Sequence, residues 1–109
     1  MNVHIKCGSV LDLLQGATST ITGTWKYKDA AEASYQATVT GTGSISATVI
    51  IDVSNDGINA INTPLGTIVL SGTTTDSDGF TSNAPWKFVR ARISAISGTG
   101  ATVSVNTGV

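Results

Sequence analysis

The sequence predicts an all-β domain, on three observations: a bias toward β-branched side chains, apolar residues at every second position, and glycine-rich punctuation between the alternating runs. Ile and Val together supply 20 residues against five Leu, and there are 17 Thr besides. Such side chains are stiff at χ1 and suit a pleated surface better than a helix. Thr adds a hydroxyl, so its abundance marks strands with one wetted face. Seven to nine short strands with turns at regular spacing are the pattern of a single-domain antiparallel β-sandwich or jelly roll. The 109 residues suffice for one core, and no linker or change of composition divides them.

The elements follow in order. Asn2 to Lys6 alternates as a short strand. Ser9 to Leu14 has two readings: a helical turn, since Ser9 and Asp12 have capping-box spacing and Gly16 would end it, or a strand through Val10 to Leu14. The strand suits the context better. Ile21, Gly23, Trp25 and Tyr27 share one parity, and Thr20, Thr22, Thr24 and Lys26 the other. Lys28 to Glu32 makes a turn. Tyr35, Ala37 and Val39, then Ile45, Ala47, Val49, Ile51 and Val53, alternate on either side of Gly41-Thr42-Gly43, which reads as the turn of an antiparallel hairpin. Ser54-Asn55-Asp56-Gly57 is a second turn, with Gly57 free to take positive φ. Ile58 to Asn62 is a short run stopped by Pro64, and Thr67 to Ser71 is a compact apolar strand. Thr73 to Pro85 reads as a long structureless loop. Trp86 to Ile96 is a strand, Ser97-Gly98-Thr99-Gly100 a turn, and Ala101 to Val109 the closing strand.

Composition excludes several functions. Charged residues are 12% of the chain, about half the usual share. A net charge of −1 leaves no field to hold a polyanion, so nucleic acid is not an expected partner. No apolar run approaches the roughly 20 residues of a spanning helix, so no membrane is expected either. Met1 to Gly16 does not read as a secretory signal because Asp12 interrupts the apolar stretch. The single Cys7 excludes an internal disulfide and fits a reducing cytoplasm. The low charge itself has two readings: a surface hydrated through hydroxyls, or one partly covered by a partner.

Reactive constellations are thin. His4 and Cys7 lack further His or Cys partners for tetrahedral metal ligation, and nucleophilic catalysis would rest on His4 alone, in a terminal strand. Asp76-Ser77-Asp78-Gly79 resembles half a calcium loop, but Thr74 and Pro85 stand where that loop needs acidic ligands. Asp side chains bonding nearby amides are the better account. No acid pair is marked out for glycoside cleavage. Trp25 and Tyr27 could stack on a sugar, although a stripe on one strand face is more often core. The reading is therefore a non-enzyme with no cofactor and no metal.

The most suggestive segment is Trp86 to Ile93. Val89, Ala91 and Ile93 present a small apolar face, and Trp86, Phe88, Arg90 and Arg92 present the opposite one. Trp and Arg are enriched at interface hot spots, so these four are the candidate protein-interface residues. Aromatics capping the end of the sandwich, with arginines merely solvating the sheet, is the competing reading; a kink after Pro85 would also change the face they occupy.

The runs Tyr35 to Gly41, Ile51 to Gly57, Leu65 to Ile68, Ala84 to Ala91 and Ile96 to Ala101 together resemble small structural proteins of tailed bacteriophages. The resemblance covers about Thr18 to Val109, and its motifs mark strands and turns rather than a reaction. It implies a jelly-roll-like β-sandwich that decorates or cements the virion head, binds the major capsid protein as a homo-oligomer (dimer or trimer), and assembles in the host cytoplasm. Residues 1–17 fall outside it; by analogy with such proteins, they read as an extended arm toward a neighbouring subunit.

Overall fold

The computed structural model describes residues 10–28 and 30–109. The expected strand Asn2–Lys6, together with His4, Cys7 and Asp29, lies outside the described residues. Every regular element among the described residues is a strand: β1 Val10–Ala17, β2 Ile21–Thr22, β3 Lys26–Tyr27, β4 Ala33–Ser54, β5 Gly66–Ser82 and β6 Phe88–Gly108. All are paired antiparallel in one six-stranded sheet of order β1-β6-β4-β5, with β2 and β3 also on β6.

Six strands among the described residues replace the expected seven to nine, because three glycine-marked stretches are bends within strands. Gly41-Thr42-Gly43 does not reverse the chain. Residues on either side of it pair with the same neighbours, Thr40 with Thr75 and Thr102, Ser46 with Ser71 and Ser97. The expected hairpin is thus a single strand, β4. The Ser97–Gly100 turn is likewise internal to β6, and most of the expected Thr73–Pro85 loop is the second half of β5. Ile58–Asn62 forms bends and no strand.

Length shows that these strands fold over. β4 has 22 residues and at about 3.3 Å per residue would reach about 70 Å if straight, whereas the longest dimension of the molecule is 38 Å. The bends are in register across the sheet: Gly43 (φ 75°) in β4, Gly98 (φ 114°) and Gly100 in β6, and Thr74 (φ 68°) in β5. The ladders shift register at the same level, between Thr40 and Ser44 against β5 and between Thr40 and Ser46 against β6. Glycine supplies the left-handed conformation without steric cost, and irregular pairing lets a sheet crease. The crease brings Gly66 and Phe80, near opposite ends of β5, into contact.

One core lies inside the fold. Tyr35, Ala37, Val39, Val103 and Val105 come from one side of the crease and Val49, Ile51, Leu70, Val89 and Ala91 from the other, in a single hydrophobic cluster. Parity explains why: both halves of β4 and β6 bury odd-numbered residues, so the same face turns inward on either side of the bend. The opposite parity carries hydroxyls and amides that bond across strands, such as Thr38 to Ser77 at 2.8 Å, Gln36 to Ser77 at 3.0 Å and Ser46 to Ser97 at 2.7 Å. The described part of the expected N-terminal arm, Val10–Ala17, is the edge strand on β6, with Leu13 buried in the core.

Candidate interaction surface

The start of β6 presents its even-numbered side chains outward. Phe88, Arg90 and Arg92 stand there, as the sequence suggests, while Val89, Ala91 and Ile93 are buried. Trp86 does not join them. It precedes the strand and packs, half-buried, against the core, so the chain does change direction after Pro85. The four candidates thus separate into a group of three and a core-side tryptophan.

Three residues from elsewhere complete the group. Asp52 on β4 faces Arg90 across the ladder. Its side chain is only 4% exposed, and the carboxylate accepts from both arginines through Oδ2, from Arg90 Nε at 3.2 Å and Arg92 Nε at 2.8 Å. Trp25, between β2 and β3, lies under the Arg90 guanidinium at 4.4 Å from ring centroid to Cζ, a cation–π contact. Tyr27 on β3 meets Phe88 edge to face, with centroids 5.5 Å apart and planes at 73°. The β2–β3 segment is held there by backbone bonds from Gly23 N to Ala91 O at 2.8 Å and from Lys28 N to Lys87 O at 2.7 Å.

The result is a small outward face with three of the chain's six aromatic side chains and two arginines on one acid. Tyr27 is 58% exposed, so the stripe read as core in the sequence is surface. Arg90 is committed to Asp52 and Trp25; Arg92 is the more open of the two. A buried carboxylate needs its partners to offset desolvation, so Asp52 fixes both arginines in place. Asp52 escapes notice in the sequence because a lone acid in an apolar run carries no motif; its position opposite Arg90 is fixed only by strand register.

The neighbouring turn is rigid for a local reason. Ser54 Oγ donates to Asp56 Oδ1 at 2.6 Å and accepts from the Asp56 and Gly57 amides, both at 3.1 Å. Asp56 Oδ1 accepts from the amides of Ile58 and Asn59, each at 2.9 Å, and Oδ2 from Asn59 Nδ2. These donors, led by the Ser54 hydroxyl, hold the Asp56 carboxyl well below the usual carboxylate range. Gly57 lies against the Phe88 ring, and Asn55 Oδ1 accepts from the Lys87 amide at 3.2 Å.

A second feature had no signal in the sequence. Lys28 is buried, and its Nζ donates to the carbonyls of Ala30 at 2.7 Å, Ala31 at 3.3 Å and Ala84 at 3.2 Å. It ties the chain after β3 to the segment that carries Trp86. Burial, then the nearby Lys87 charge, lowers its pKa.

The half calcium loop is not a loop. Asp76 Oδ2 accepts the Ser71 amide at 2.9 Å and Asp78 Oδ1 the Gly79 amide at 2.8 Å, so the acids bond nearby amides from within a strand. Among the described residues, no group of three or more His, Cys, Asp or Glu is placed to hold a metal ion. No known protein family, curated protein or solved structure matches the chain.

Proposed function

We propose that the chain is a non-enzymatic structural protein of a tailed-phage virion, a decoration or cement protein that binds the major capsid protein through the Tyr27–Phe88–Arg92 face. The observation that carries this reading is that face itself: an exposed Tyr27 ring against half-buried Phe88, beside arginines anchored on buried Asp52, the composition of an interface centre. The creased sheet enclosing one core supports the finer architecture of a jelly-roll-like sandwich. A shell-stabilising protein needs a docking face and no reaction centre. On this reading the protein works on the head as a dimer or trimer, after assembly in the host cytoplasm.

The test is quantitative mass spectrometry of purified particles, with wild-type chain and the Tyr27→Ala/Arg92→Ala double variant. The proposal expects a fixed simple ratio to the shell protein for wild type and loss of most copies for the variant. Equal occupancy would remove the face from the account; absence of the wild-type chain from particles would overturn the function.

A second reading, a receptor- or glycan-binding module of a tail appendage, is favoured by one observation, the exposure of the Tyr27 ring beside Phe88. It expects dose-dependent binding on a glycan array, abolished by Tyr27→Ala. Copies more than an order of magnitude below the shell protein would point to it.

A further inference from the structure

The two edges of the sheet are unlike. On one side β1 slips register twice, between Asp12 and Leu14 and between Leu14 and Ala17, and β2 and β3 contribute two residues each. Bulges, an acid and short strands are the devices that keep an edge from pairing. On the other side β5 has none of them along Gly66–Gly72. That window, Gly-Thr-Ile-Val-Leu-Ser-Gly, contains no charge and no proline, and it pairs only with β4 among the described residues. Val69, at its centre, is 64% exposed.

The direction of its backbone groups follows from one hydrogen bond. The Ser71 amide donates to the Asp76 carboxylate at 2.9 Å and so points away from β4. In an antiparallel ladder this direction alternates. The amides and carbonyls of Thr67 and Val69 therefore point outward too, while Ile68 and Leu70 bond β4 opposite Val49 and Ala47. Asp76 occupies the amide of Ser71 and leaves that residue's carbonyl as the last open group of the row.

We propose that this edge pairs antiparallel with the same edge of a second copy, with a two-fold axis at Val69: the two Val69 residues exchange amide-to-carbonyl hydrogen bonds, and the Thr67 amide of each copy donates to the Ser71 carbonyl of the other, while the Ser71 amide stays on Asp76. The occupant is a second copy because the edge is self-complementary under that axis. It brings no charge against its like, and its uncharged β-branched window is the composition that pairs strand to strand. Among the described residues each copy has one such edge and the opposite edge is blocked, so the assembly closes as a dimer and does not grow into a fibre. This surface is distinct from the Tyr27–Phe88–Arg92 face and does not depend on the function proposed for it.

The experiment uses the isolated full chain, so its outcome is independent of shell binding. Analytical ultracentrifugation is expected to find a dimer. Val69→Lys, which sets like charges across the axis, and Val69→Pro, which removes an outward amide, are each expected to raise the dissociation constant at least about tenfold with the far-UV spectrum unchanged. In a Cys7→Ser background, Val69→Cys is expected to form an intermolecular disulfide on mild oxidation and Thr48→Cys, one strand inward, is not. A monomeric wild type, a dimer that survives both Val69 variants, or cross-linking at Thr48 in place of Val69 would each overturn the proposal. Should Val69→Lys fail to fold, the cysteine pair still decides.

Discussion

Asp52 and Arg90 face each other across the β4–β6 ladder, and the carboxylate oxygen that holds Arg90 at 3.2 Å holds Arg92 at 2.8 Å as well. One acid thus sets two basic side chains, and the loss of that acid should cost more than the loss of either base.

Asp52→Ala is expected to destabilise the fold by about 2–3 kcal/mol, below the range for a wholly buried pair because both arginines retain some water. Arg90→Ala should cost about 1–2 kcal/mol, since it also gives up the Trp25 contact, and Arg92→Ala less. Urea midpoints rank the three; an Arg92→Ala shift larger than that of Asp52→Ala would contradict the shared-acid geometry.

Opposite signs are expected at two points on the crease. Thr74 is a β-branched residue at φ 68°, and Thr74→Gly should stabilise by up to about 1 kcal/mol as that strain is relieved. Gly98 combines φ 114° with the Ser44 carbonyl 2.7 Å from where a Cβ would sit. Gly98→Ala should therefore destabilise by about 2 kcal/mol or more. Thermal melts of the two variants check the pair.

Burial pushes the Tyr35 phenol up to about 12, against the pull of its hydrogen bond with Thr107. The unfolded chain then releases this proton first, so the Tyr35 contribution is whole below about pH 10 and is lost as pH rises toward 12, on the order of 2–3 kcal/mol at completion. Lys28, with its pKa lowered, acts in the other direction in the same alkaline range and cannot cause the loss. Tyr35→Phe should flatten the alkaline limb of stability against pH, followed by urea titrations with phenolate absorbance as a second probe.

The Asp56 turn governs the acid side. A carboxyl held below its usual range contributes stability that is present above the unfolded value and lost as pH falls through the folded one. Asp56→Asn should lower stability at neutral pH and make the protein less sensitive to acid. An unchanged acid limb in that variant would show that the Ser54–Asp56 turn is not what titrates.

Much of this was legible in the residues. Alternation from Tyr35 to Val53 identifies the buried face of β4, and the same rule places Val89, Ala91 and Ile93 inside. What alternation cannot distinguish is a reversal from a crease. Gly41-Thr42-Gly43 serves either, because glycine permits both backbone paths. The choice was made by strands distant in sequence, β5 and β6, which pair with β4 on both sides of the bend. The same remoteness hid the surface group. Phe88, Arg90 and Arg92 share a strand and were visible together, whereas Asp52, Trp25 and Tyr27 reach them only through register. Trp86 obeys the parity but lies before the strand begins, where parity no longer binds it.

Synthesis order gives the central place of β6 a consequence. β1, β2, β3 and β4 all pair with this strand, and it is the last of the six to leave the ribosome. Until then only β4 and β5 can find each other, and β1, β2 and β3 have no strand to lie beside. The fold is therefore expected to close late and in one step, with the slow kinetics of distant strand pairing. A nascent chain stalled before Phe88 should remain open to protease along β1, β2 and β3, and become resistant once β6 has emerged.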